Sequence, residues 1–92
     1  MRALIARFRA EFSNPSLPFI IGQLGQFERQ PWNAGYAQVD AAQRRVAADV
    51  PSVAFVSSDG LKDKGDNLHF SADAARELGG RYAAAYLRLV QR

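Results

Sequence analysis

At 92 residues the chain has room for at most one small domain. Hydrophobic residues make up 48% of it, too many for a disordered chain. With no cysteine and a single histidine, it has neither disulfide staples nor the ligands of a thiolate or His-rich zinc centre, and its net charge of +3 is modest.

Residues 2–12 read as a helix, because Leu4, Ile5, Phe8 and Phe12 recur at three- and four-residue spacing with arginines between them. Ser13-Asn14-Pro15 ends it, since a residue before proline disfavours the helical region. Residues 17–24 form an apolar run rich in Ile and Phe, which predicts a strand buried on both faces, as in parallel sheets. A loop follows over 25–33. Helical periodicity returns over 35–50, with Tyr36, Val39, Ala42, Val46 and Val50 on one face and Pro51 as the stop.

Residues 53–57 are a second short apolar strand, and 58–69 a polar segment holding Gly60 and Gly65. Ser71 is a good N-cap for the last helix, and Asp73 in its first turn suits the helix dipole. The expected buried stripe of that helix is Ala75, Leu78, Gly79, Tyr82, Tyr86 and Leu89. Gly79 and Gly80 in mid-helix cost about 1 kcal/mol each relative to alanine, so they predict a place where the helix approaches a sheet closely.

The order α-β-α-β-α implies the α/β class, with two parallel strands joined by right-handed crossovers. An isolated pair of strands is marginal in water, so the chain is expected to need more sheet than it contains.

Ligands of open α/β sheets bind beyond the carboxyl ends of the strands. One such position holds the only histidine, His69, preceded by Asp59, Asp63 and Asp66. If Asp66 to His69 forms a turn, the carboxylate accepts a hydrogen bond from the imidazole Nδ1–H and leaves Nε2 outward as a general base. Spacing alone favours an ordinary structural pair, because a lone Asp-x-x-His is a short motif.

A longer pattern surrounds it. The stretches Val53-Ala-Phe-Val-Ser-Ser-Asp-Gly-Leu61, Gly65-Asp-Asn-Leu-His-Phe70 and Ala72-Asp-Ala-Ala-Arg-Glu-Leu-Gly-Gly-Arg-Tyr82 run in the order found at the end of one enzyme family. Leu17-Pro-Phe-Ile-Ile-Gly-Gln-Leu24 is similar to the strand that precedes them there, and Trp32 and Gln43 fall where that family often has a Trp and a Gln. The chain thus resembles the C-terminal part of SGNH-type carbohydrate esterases of the sialate O-acetylesterase and acetylxylan-esterase type. The resemblance implies a partial three-layer α/β/α sandwich and serine esterase chemistry removing acetyl groups from sugars or polysaccharides. It implies Asp66 as the orienting acid and His69 as the general acid/base, with no metal or organic cofactor. Asp59 and Asp63 are competitors for the acid role that read better as solvated loop charges.

The family's nucleophilic serine stands in a Gly-Asp-Ser or Gly-Gln-Ser element near the start of the domain, with oxyanion donors from neighbouring blocks. None of Ser13, Ser16, Ser52, Ser57, Ser58 and Ser71 follows that pattern. Ser57 and Ser58 lie nearest the histidine but read as polar residues ending a strand. Residues 1–92 are therefore expected to be the C-terminal portion of an esterase domain that begins upstream of Met1, inactive alone for want of nucleophile and oxyanion hole. The expected partners are an acetylated sugar once an N-terminal half completes the domain, and a complementing chain or further copies meeting at exposed strand edges. The basic residues are scattered without interleaved aromatics, which argues against nucleic acid. The apolar runs are far too short for a membrane span.

Overall fold

The computed structural model describes residues 1–27, 31–65 and 69–91. The elements follow the expected order: α1 (Arg2–Glu11), β1 (Phe19–Gly22), α2 (Ala34–Asp49), β2 (Val53–Val56) and α3 (Ala72–Val90). β1 and β2 pair in parallel, from Phe19 opposite Val53 to Gly22 opposite Val56. The chain is an α/β protein. Both strands are shorter than their apolar runs suggest, and in β1 only Ile21 is buried. Pro18, just before β1, has no N–H to give a ladder.

Alternation along the strands sends side chains to two faces. Phe19, Ile21, Val53 and Phe55 pack with Ile5 of α1 and Val46, Ala47 and Val50 at the end of α2. On the other face Ile20, Ala54 and Val56 pack with Ala74, Leu78, Tyr82 and Ala85 of α3. Helices therefore cover both faces of the sheet.

Asn33 caps α2, its side chain accepting the Tyr36 N–H, and Ser71 caps α3 as expected, accepting the Ala74 N–H. Val50 is extended, as the residue before Pro51 must be, and ends α2. Ser52 then takes a left-handed φ of 58°, and its carbonyl accepts the Phe19 N–H at the start of the sheet. Arg9 of α1 braces this end. Its guanidinium donates to the carbonyls of Leu17, Pro51 and Ser52, and stands over the Phe19 ring.

The helix faces differ from those that periodicity predicts. On α1 only Ile5 is buried; Leu4, Phe8 and the C-cap Phe12 are exposed, the two phenylalanine rings stacked on each other. On α2, Tyr36, Val39 and Ala42 face solvent while Val46 is buried. On α3 the stripe runs through Ala74, Leu78, Tyr82 and Ala85, with Ala75 and Tyr86 exposed. The expected close approach at Gly79 and Gly80 is not found, since both are exposed and a Cβ at either would meet nothing within 4 Å. The close approach is on the strand instead. Gly22 lies under Tyr82, whose hydroxyl occupies the place of a Cβ.

Candidate active site

Two loops leave the carboxyl ends of the strands, 23–33 after β1 and 57–71 after β2. They are tied together at their roots. Gln23, 2% exposed, follows β1 directly, and its Oε1 accepts the backbone N–H of Ser58 at 2.8 Å. Ser58 Oγ has two acceptors, Leu24 O at 2.9 Å and Gln23 Oε1 at 3.1 Å. The Gln23 amide donates to Asp40 on α2 at 3.2 Å, and the other oxygen of Asp40 takes Arg44 Nε at 2.8 Å. Burying polar groups costs least when they are satisfied in this way.

From the opposite side α3 holds the same loop. Arg81 donates from Nη1 to the Ser57 carbonyl at 2.9 Å and from Nη2 to the Asp59 carbonyl at 3.0 Å. A turn follows, closed by the Leu61 N–H donating to the Ser58 carbonyl, with Gly60 supplying a φ of 78°. Leu61 is buried against α3.

From there the chain runs out and back as a hairpin. The Ser71 N–H donates to the Lys62 carbonyl at 2.8 Å, Asp63 bridges Phe70 in antiparallel fashion, and the Lys64 N–H donates to the His69 carbonyl at 2.9 Å. Gly65, just after this pairing, has a φ of 113°. His69, paired with Lys64, is exposed. Its neighbour Phe70 packs on Phe27 in a T-shaped arrangement, 5.6 Å between ring centroids. Phe27 is buried and lies on Gly25, where a Cβ would overlap its ring, and the Trp32 indole N–H donates to the Gly25 carbonyl at 2.7 Å. The first loop is thus a platform for the second.

Of the residues the sequence points to, His69 stands on this hairpin, while Asp66 lies outside the described residues. Asp59 is exposed, and Asp63 is half-buried in the bridge to Phe70. Ser58 is buried with its hydroxyl engaged, and Ser57 Oγ accepts the Asp59 N–H, so both act as polar groups at a strand end. Gln43 Oε1 is buried with no hydrogen-bond partner among the described residues.

Sequence reasoning left Gln23, Arg81 and Phe27 without a role at the site. The signals were present: an amide directly continuing an apolar strand, and an arginine set between Leu78, Tyr82 and Ala85 of a buried stripe. A cavity of about 550 Å³ opens at the opposite, amino end of the sheet, against α1 and Val50. Its one half-buried cation, Arg9, is already committed to backbone carbonyls.

A family model of carbohydrate esterases, described as sialic acid-specific acetylesterase, matches residues 1–88. No curated protein gives a significant match.

Proposed function

The chain belongs to the sialic acid-specific acetylesterase family of carbohydrate esterases, and on that premise we propose that it forms the acid–base portion of a serine esterase removing acetyl groups from carbohydrates. In this reading residues 1–92 are the C-terminal part of a three-layer SGNH-type domain, and the nucleophilic serine and oxyanion donors come from another segment. Asp66 accepts the Nδ1–H of His69 and holds its tautomer. His69 Nε2 takes the serine proton as the hydroxyl attacks the acetyl carbonyl, then returns it to the departing sugar oxygen. Water, deprotonated by the same nitrogen, releases acetate from the acyl-enzyme. General-base help of this kind is worth about 10²–10⁴ in rate.

The observation that carries this reading is the place of the chain's only histidine: exposed, on a hairpin beyond the carboxyl end of a parallel strand, where α/β sheets bind ligands. Helices on both faces of the sheet support the layered arrangement. The test is acetate release from an acetylated sugar by these residues combined with a nucleophile-bearing segment. Asp66→Asn and His69→Ala should each lower kcat by about 10³–10⁴, and Asp59→Asn should leave it near the starting value. Equal losses from Asp59→Asn and Asp66→Asn remove the assignment. The 92-residue chain alone should hydrolyse p-nitrophenyl acetate little or not at all.

A second reading is self-association of a catalytically inactive chain. Among the described residues each strand has a partner on one side only, and Leu4 and Phe8 of α1 are exposed together with its C-cap Phe12. A monomeric mass by light scattering, with the spectrum of a folded protein, eliminates it.

A further inference from the structure

Resting on the reading of His69 as the general base, we propose that Arg81 is a positioning residue for it, orienting the imidazole from α3 through the backbone of the loop between them. The segment that carries His69 is fastened to one helix at both ends. Its near end is gripped by Arg81, whose Nη1 and Nη2 reach the carbonyls of Ser57 and Asp59 on either side of Ser58. Its far end is Ser71, which caps the first turn of the same helix. Between them Leu61 is buried against Ala74 and Leu78, again of α3.

The geometry is more specific than stability alone requires. Two carbonyls flanking one residue, held by one planar group, fix the orientation of that peptide stretch as well as its position. Glu77, one turn earlier on α3, accepts Nε at 3.3 Å, so all three guanidinium nitrogens are directed. Gln23 closes the grip from the sheet side by accepting the Ser58 N–H. Beyond this clamp every step toward the histidine is hydrogen-bonded or buried: the turn from Ser58 to Leu61, then the pairings of Lys62 with Ser71, Asp63 with Phe70 and Lys64 with His69. A rotation of the clamped peptides is therefore carried to the hairpin foot. A displacement of about 1 Å at a reacting group is enough to cost about 10²-fold in rate.

The test uses the ring ¹⁵N shifts of His69, unambiguous because the protein has one histidine, at a pH where the imidazole is neutral. The wild-type ring should be held as the Nδ1–H tautomer, and Asp66→Asn should release it to the mixture typical of an unpaired imidazole. Arg81→Lys keeps the charge but not the fork. It should move the ring toward the Asp66→Asn mixture while the amide shifts of both strands stay in place. Arg76→Lys, one exposed turn away, should change nothing. A folded Arg81→Lys protein with the wild-type tautomer ratio overturns the inference. If Arg81→Lys does not fold, Glu77→Ala at an exposed position loosens the same guanidinium and should shift the ring the same way; no shift overturns the inference as well. An unchanged ring in Asp66→Asn is a different failure, that of the Asp66–His69 pair itself.

Discussion

Tyr82 sets its hydroxyl on Gly22, at the place where any other residue would carry its first side-chain carbon. The contact brings α3 down onto the carboxyl end of β1, and the helix that it seats also holds the histidine loop. An added methyl group at Gly22 would overlap both the hydroxyl and the ring carbon that bears it. Gly22→Ala should therefore lower stability by about 1–3 kcal/mol, the usual scale of overpacking. Tyr82→Leu removes both offending atoms, so the double variant should lose clearly less than the two single losses combined. Urea midpoints of the four proteins decide it, and strict additivity would refute the contact.

Gly79 and Gly80 make the opposite case. Both are inside α3, exposed, and open around the position of a Cβ. Gly79→Ala and Gly80→Ala should each stabilise the chain by up to about 1 kcal/mol, because alanine restricts the unfolded backbone and suits a helix better. The readout is a rise in Tm for each. A fall would mean that something packs on that face of the helix.

Gln23 should tolerate little change. Gln23→Leu leaves the Ser58 N–H buried without its acceptor, a loss of about 1–3 kcal/mol. Gln23→Glu keeps the acceptor but turns a carboxylate toward Asp40, which now accepts the Gln23 amide. Adding Asp40→Asn to Gln23→Glu restores a donor opposite an acceptor and should recover part of the stability. A denaturant series on these variants tests the direction of each bond.

The order and type of all five elements were legible in the sequence, because Leu4, Ile5 and Phe8, or Ile20 and Ile21, mark helix and strand by spacing alone. The family was legible too, through ordered stretches such as Gly65–Phe70 and Leu17–Leu24. The buried faces were not. Periodicity finds an apolar stripe but assumes a partner surface as long as the helix. Here strands of four residues, about 13 Å long, meet helices of 16 and 19 residues, about 24 and 28 Å long. The helices overhang the sheet, so Val46 at one end of α2 is covered while Tyr36 and Val39 at the other are bare. In α3 the stripe rotates by one residue, from Ala75 to Ala74, because alanines on both sides leave its edge undefined. The polar grip of Gln23 and Arg81 escaped notice because its acceptors are backbone atoms, which no residue letter records.

The pairing register has a kinetic side. Phe19 meets Val53 and Gly22 meets Val56, so the whole of α2 separates every pair of the sheet. No rung forms until the chain has closed that loop, and nothing local repays the closure entropy beforehand. Val46, buried in one apolar cluster with Ile21 and Val53, is a contact from α2 that would repay the closure. On that account Val46 should belong to the folding nucleus, and Val46→Ala should slow refolding while leaving the unfolding rate nearly as it was.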